Sequence, residues 1–467
     1  MQEVPVVARP AERLRASAGA EAGRALDARL RDVSPRLAGR TVWHINSTPE
    51  GGGVAELLRS TLGYLTHHGI RVRWLVIDGD PEFFAITKRV HNRLHGELGD
   101  GGALAGPERD HLRKIARANL EGAVGLIEPG DVVVVHDPQP LGLVPGLKDA
   151  GASVVWTCHV GVDAANDITR SAWSFLADDV RDADAATFTR RAYVWDGLDD
   201  VRVALIPPCI DPESRKNVTL GTADVSAILG AAGLIETPGA EAATFLREDG
   251  TTALIAHRAG LIEDAPTPVG APLVVQVSRW DALKDPVGVL SGFAEDPDLD
   301  DAHLILAGPT PSSVADDPEA TGVLADVEVV RSELSEVDRR RVHLANLPTD
   351  DVEENAIIVN ALQRRADVVV QKSLAEGFGL TVTEAMWKER PLVAARVGGI
   401  QDQIEDGVSG LLVDPRDLTG YGNAVQSLLA DRDRANALGR AAGQRVRARY
   451  LPPQYLGAYL ELFATLD

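Results

Sequence analysis

Two doubly wound α/β domains are what this sequence predicts, and three observations predict them. Short β-branched runs alternate with longer amphipathic stretches almost from end to end. The runs are nearly continuous in apolar residues, the mark of parallel strands covered by helices on both faces. At 467 residues the chain exceeds one ordinary core, and the Pro-, Gly- and Ala-rich segment EDAPTPVGAP (263–272) separates two such series. The expected division is a first Rossmann-like domain over 1–265, a second over 266–450, and a closing helix over 451–467 that reaches back to the first.

The first series of strands is TVWHIN (41–46), RVRWLVID (71–78), DVVVVHD (131–137), SVVWTCH (153–159) and VRVALIPP (201–208). The second is PLVVQVSRW (272–280), HLILAG (303–308), RVHLANL (341–347), ADVVVQKS (366–373), PLVAARVGG (391–399) and GLLVD (410–414). Between them VAELLRSTLGYLTHH and ADVEVVRSELSEVDRRR repeat apolar residues at helical spacing. The first forty residues read as helix and carry no chemistry.

Composition narrows the function. With 45% apolar and 25% charged residues the chain is globular. A net charge of −22 argues against nucleic acid or an anionic membrane as partner, since both repel an acidic surface. Lysine is scarce among the 47 basic residues, which makes any lysine beside a motif informative. Two cysteines point to a reducing compartment. The start, MQEVPVVARPAERLRA, lacks the apolar core of a signal peptide, and no run approaches the roughly 20 apolar residues of a membrane helix. A cytoplasmic protein is expected.

Ligands of open parallel sheets sit outside the carboxyl ends of the strands, so residues directly after each strand are the candidates. After the first strand, NSTPEGGGVAELL sets Gly51, Gly52 and Gly53 at a helix start. Such glycines let backbone N–H groups approach a phosphate, although a turn without ligand is the alternative. The turn lacks GxxxxGK[ST] and GxGxxG, so nucleoside-triphosphatase and nicotinamide oxidoreductase readings lose their signature. In QVSRWDALKDP, Arg279 ends a strand and Lys284 precedes a helix that Asp285 and Pro286 cap and start. Cations of this kind suit a diphosphate leaving group, because negative charge builds on it as the glycosidic bond breaks.

In QKSLAEGFGLTVTEAMWKE, Glu376 follows a strand and Glu384 is expected in the first turn of the next helix. Carboxylates accept from pairs of sugar hydroxyls, while a Thr381-x-x-Glu384 capping box is the structural alternative for Glu384. His159 closes SVVWTCH, with Cys158 alternating to the opposite face, which disfavours a Cys-His nucleophile pair. A structural histidine is the other reading. Asp137 and Gln139 in HDPQP either bind acceptor hydroxyls or form a turn. Asp78-Gly79-Asp80 has the spacing of a DxD metal site but reads more simply as a turn. Neither a metal nor a cofactor is expected.

In this order, the GGG loop, SRWDALKDP and EGFGLTVTEAM are similar to the retaining GT-B glycosyltransferases related to glycogen and sucrose-phosphate synthases. A closer likeness runs through VWHINSTPEGGGVAELL, WLVIDGDPEFFAITKRVHNRLHG, HDPQP, IPPCIDPESRKN, SRWDALKDP and EAMWKERPLVAARVGGIQDQIEDGVSGLLVD, roughly over 41–450. These segments resemble the trehalose glycosyltransferring synthases, which join a nucleotide-activated glucose to free glucose. The resemblance implies a GT-B fold, two Rossmann-like domains facing across a cleft, with a nucleoside diphosphate glucose and a sugar acceptor as substrates. It also implies a catalytic set of Arg279, Lys284, Glu376 and His159. Arg279 and Lys284 would hold the diphosphate with amides around Gly52, Gly53 and the loop Gly377, Phe378, Gly379 and Leu380. Glu376 and that loop would contact the hexose, Glu384 the ribose, and His159 the hexose near its 6-hydroxyl. The nucleobase would lie beside His343 to Leu347, and a homodimer is implied.

No side chain need act as nucleophile in such enzymes: the acceptor hydroxyl attacks the face the phosphate leaves, and a phosphate oxygen takes its proton. Asp137, Gln139 and Asp163 are the acceptor candidates. CHVGVDAANDITRSAW departs from the family by setting Asp163 four residues after His159, and NLPTDDVEENAIIVNALQ departs as well. Another acceptor (a sugar phosphate, a polyol, or phosphate as in a trehalose phosphorylase) and a silent nucleotide-sugar-binding protein stay open.

Overall fold

The computed structural model describes residues 1–50, 52–123, 125–236, 243–311 and 319–466. The chain divides into two compact units, Met1–Asp211 with Ala448–Asp467, and Pro212–Arg447. Every run read as a strand forms one, with ends shifted by a few residues.

In the first unit the described strands are β1 (Gln2–Val4), β2 (Val42–Asn46), β3 (Val72–Val76), β4 (Val132–His136), β5 (Ser153–Cys158), β6 (Ala185–Phe188) and β7 (Arg202–Leu205). They form one sheet in the order β1-β3-β2-β4-β5-β6-β7, parallel except where β1 runs antiparallel to β3. β1 corrects the all-helical reading of the first forty residues: QEV is too short to show a period, and its place is set by pairing along β3. Side-chain alternation splits the core between the two faces. Trp43, Ile45, Val133, Val135 and Trp156 pack on one, and Val42, Val134 and Val155 on the other. The second face is covered partly by the helix Pro452–Phe463, which packs on the helix Ala20–Val33 and brings Tyr459 Oη within 2.9 Å of Thr157 Oγ1.

The second unit contains β8 (Thr244–Leu246) and β9 (Thr252–Leu254), an antiparallel hairpin. Its main sheet is built from β10 (Gly260–Ile262), β11 (Leu273–Val277), β12 (His303–Pro309), β13 (Val342–Leu347), β14 (Val368–Gln371), β15 (Leu392–Ala395) and β16 (Leu411–Val413). The order is β10-β13-β12-β11-β14-β15-β16, with β10 antiparallel on β13 and the rest parallel.

The division falls near Asp211, not at the expected 265. Residues 212–262 join the second unit because the helix Thr222–Ala231 packs on the helix Val352–Arg365 and β10 extends the sheet. EDAPTPVGAP is strapped to that unit and does not separate the two. Glu263 Oε2 lies 2.7 Å from His343 Nδ1, and Asp264 accepts from Arg331 at 2.8 Å and Arg339 at 3.0 Å. Arg365 donates to the carbonyls of Val269 at 3.0 Å and Ala271 at 2.6 Å. Its composition marks irregular backbone, and irregular backbone can be tightly held. No described helix is long and apolar enough to cross a membrane.

Candidate active site

Strand order reverses once in each parallel sheet, between β2 and β4 in the first unit and between β11 and β14 in the second. Such switch points open a crevice at the carboxyl edge of a sheet. Gly52, Asp137 and Gln139 follow the strands that flank the first point, Arg279 and Glu376 those that flank the second, and His159 follows β5, one strand further along.

In the second unit, Arg279 stands two residues past β11, its side chain 46% exposed and its Nη2 3.3 Å from Asp281 Oδ2. Asp281 caps the short turn Ala282–Lys284 by accepting from the Leu283 N–H at 2.8 Å. Asp285 adopts a left-handed backbone (φ 50°) and accepts from the Gly288 N–H at 3.1 Å, capping the helix Pro286–Ala294 as expected. That bend leaves Lys284 beside the loop after β14, where its Nζ donates to Glu376 Oε2 at 2.5 Å. Lys372, 1% exposed at the end of the neighbouring strand, forms an ion pair with the Asp285 carboxylate.

The loop Gly377–Phe378–Gly379 is fixed from behind. Gly379 (φ 88°, ψ 69°) is the N-cap of the helix Leu380–Trp387, a conformation that glycine adopts without penalty. A Cβ on Gly399 would sit 2.7 Å from Phe378 Cα and 2.8 Å from the Gly377 carbonyl oxygen, so only glycine permits this contact. Gln403 donates to the Phe378 carbonyl and accepts from Thr383 at 2.6 Å. Leu380 begins the helix on this loop.

The capping box does not form. Thr381 lies inside the helix and donates to Gln371 Oε1 at 3.0 Å, and Glu384 lies beyond the first turn. Glu384 is 2% exposed with Lys216 Nζ 3.7 Å from its Oε1, while Lys388 Nζ donates to its carbonyl at 3.3 Å. Lys216, Lys372 and Lys388 were not among the sequence candidates. The scarcity of lysine was the available signal, since Lys216, Lys284, Lys372 and Lys388 all lie against Glu384, Glu376 or Asp285.

The nucleobase expectation narrows. His343 sits near the amino end of β13, 1% exposed, held by Glu263 and by His303 at 2.9 Å. Only Asn346 and Leu347 reach the carboxyl edge, and the Asn346 Oδ1 is buried without a hydrogen-bond partner.

In the first unit, Gly52 (φ 91°, ψ 159°) is the N-cap of the helix Gly53–His67, so glycine is needed there and the helix N-terminus opens at the switch point. Gly51 lies outside the described residues. Asp137 follows β4 in a left-handed conformation (φ 64°) and is held by local structure. Its N–H donates to the Thr157 carbonyl at 2.7 Å and its Oδ1 accepts from the His159 N–H at 2.8 Å. Burial pushes its carboxyl above the usual carboxylate range. The turn reading of Asp137 is therefore the one its bonds display. Gln139 Oε1 is buried without a hydrogen-bond partner. Asp163 forms an ion pair with Arg190.

His159 is joined to two histidines that sequence reading did not connect. Its Nε2 lies 3.3 Å from His136 Nδ1, and His136 Nε2 lies 2.9 Å from His44 Nδ1. Their contact depends on strand register, which sequence spacing does not reveal. Asp80 caps the helix Pro81–Leu94, accepting from the Phe83 N–H at 2.8 Å, and Asp78 pairs with the chain's amino group at 2.5 Å. DGD is thus a capped turn.

The sequence matches the family described as trehalose synthase, N-terminal domain, over residues 44–195, and glycosyl transferases group 1 over residues 350–445. It is 35% identical over 448 residues to a trehalose synthase of Rubrobacter xylanophilus, covering 95% of this chain and 94% of that protein. A trehalose synthase of Pyrococcus horikoshii is 32% identical over 439 residues, covering 94% and 93%. The fold is similar to that of a sucrose-phosphate synthase from Thermosynechococcus elongatus, with a TM-score of 0.63 at 19% identity over 91% of this chain and 99% of that one. By motif, fold and sequence relationship alike, the chain belongs to the trehalose synthase family of GT-B glycosyltransferases.

Proposed function

We propose that the protein transfers glucose from a nucleoside diphosphate glucose to free glucose, forming trehalose with retention of configuration and without a metal ion. The observation that carries this reading is the cationic edge of the second unit, where Arg279 and Lys284 follow β11 and Lys284 contacts Glu376 after the adjacent β14. Cations fixed at this edge stabilise the charge that develops on a departing diphosphate, a role for which a divalent ion is otherwise used. Glu376 and the amides of the GFG loop take the hexose, and Glu384 takes the ribose hydroxyls. His159 donates to a hexose hydroxyl.

Trehalose as product is supported by the relatives at 35% and 32% identity, both named trehalose synthases. A neutral acceptor is supported by Asp163, which neutralises Arg190 at the carboxyl edge of the first unit. The acceptor hydroxyl attacks the face that the diphosphate leaves, a phosphate oxygen accepts its proton, and no carboxylate forms a covalent intermediate.

The test is a product assay with UDP-, ADP- and GDP-glucose, each with and without glucose, in EDTA. Release of nucleoside diphosphate with a non-reducing disaccharide is the expected result. Donor binding without disaccharide would overturn glucose as acceptor, and activity only after divalent metal is restored would overturn metal independence.

A further inference from the structure

Three histidines climb diagonally across one face of the first sheet. His44 on β2 pairs in register with Val134 on β4, and His136 lies two residues further along that strand. His136 pairs with Thr157 on β5, and His159 lies two residues beyond it. Because side chains alternate with a period of two, all three rings point to the same side, and diagonal neighbours are within reach of long side chains. The rings meet edge to edge with nearly parallel planes, 23° apart for His44 and His136 and 2° for His136 and His159. Each step moves one strand over and two residues toward the carboxyl edge. The chain of nitrogens therefore runs from the core, where His44 is 4% exposed, to the candidate site.

Burial holds His44 and His136 far below the usual imidazole range, His44 at about 3, so both are neutral at pH 7. With His159 in its neutral form, three rings linked in this way have two proton arrangements. In one, His44 Nδ1–H donates to His136 Nε2, His136 Nδ1–H donates to His159 Nε2, and His159 carries its proton on Nδ1. In the other every proton is reversed, and His44 Nε2 must carry a hydrogen. That nitrogen is buried without a hydrogen-bond partner. In the first arrangement the same nitrogen is a bare, unpaired acceptor, and an orphaned N–H in the interior is the rarer of the two, which selects the first arrangement.

We propose that His44 and His136 are positioning residues that lock His159 in the Nδ1–H tautomer, so that it presents a donor, never a bare nitrogen, to a sugar hydroxyl oxygen. The sugar contact rests on the function proposed above, whereas the tautomer does not. The effect is to fix the direction of one hydrogen bond before substrate arrives.

Long-range 15N–1H correlation spectra of histidine-labelled protein read the tautomer directly, with His159 assigned by the signals lost in His159→Gln. The expected wild-type pattern is protonated Nδ1 and bare Nε2 at His159. The wild-type spectrum needs no perturbing variant, so a protonated Nε2 there would overturn the proposal even if His44→Leu does not fold. Folded His44→Leu is expected to lose the single tautomer and to lower kcat by about tenfold, the scale of one misdirected hydrogen bond. His44→Asn, whose amide N–H replaces Nδ1–H, is expected to restore both. A tautomer unchanged in folded His44→Leu would overturn the proposal. A lost tautomer with unchanged kcat would uphold the lock and overturn the sugar contact.

Discussion

The two carboxyl edges use the same construction, a tight turn after a buried strand, and hold different sets of polar groups. At the edge of the second unit Lys284, Lys372 and Lys216 stand against Glu376, Asp285 and Glu384. Behind His159 at the edge of the first stand two imidazoles of low proton affinity and a carboxyl that burial pushes upward, and beside them Asp163 pairs with Arg190. A charged leaving group requires fixed charges whose desolvation is already offset by partners, because an isolated buried ion would change protonation. A sugar hydroxyl requires only directed hydrogen bonds. The contrast teaches where lysine is used: four of the seven lysines, Lys216, Lys284, Lys372 and Lys388, stand at the edge where phosphate chemistry is proposed.

The sharpest way to break the contrast is Arg279→Ala. Removing a group aimed at transition-state charge is expected to lower turnover by about 100- to 1,000-fold, roughly 2.7–4 kcal/mol. Its side chain is 46% exposed, so the unfolding midpoint should hardly move. Unchanged turnover in the folded variant would remove the diphosphate role. Lys372→Met tests structure at the same edge. It leaves the Asp285 carboxylate without its buried cation and is expected to cost about 3 kcal/mol in denaturant unfolding. A loss below about 1 kcal/mol would show that the pair does not stabilise the edge.

The first unit should respond to acid. Burial holds His44 at about 3 in the folded protein against about 6.5 in the unfolded chain, so between those values the unfolded chain binds a proton that the native chain does not. Stability is therefore complete above pH 6.5 and falls as pH drops toward 3, by about 1.4 kcal/mol per pH unit for this histidine. His44→Asn should flatten the stability slope between pH 6 and 4.5 by about one proton, and an unchanged slope would contradict its neutral burial. The smallest effect is expected from Asp80→Ala, which removes a helix cap worth about 1 kcal/mol. Turnover in EDTA should be unaffected, and a large loss of turnover would reopen a metal role for the DGD turn.

The central strands were legible because continuous Val, Ile and Leu runs have few alternatives to burial in a parallel sheet. β6 was missed because AATF is short and half alanine, and β10 because GLI gains strand identity only by pairing with β13. The unit boundary was misplaced because composition identifies irregular backbone without showing what holds it. Arg279, Lys284 and Glu376 were legible from their positions after strands, and the Lys284–Glu376 contact follows from the adjacency of β11 and β14. Lys216 and Lys372 were not, since an ion pair needs both partners placed. The histidine series stayed hidden for the same reason: its three members are separated by 92 and 23 residues and meet only through register.

Calorimetric titration with UDP, ADP and GDP tests the division of chemistry most directly, comparing the unmodified protein with Arg279→Ala, Lys284→Ala and His159→Ala. At least one nucleoside diphosphate is expected to bind the unmodified protein. That binding should be strongly weakened by either substitution in the second unit and retained in His159→Ala. Equal binding by all four proteins, or binding lost only in His159→Ala, would contradict that division.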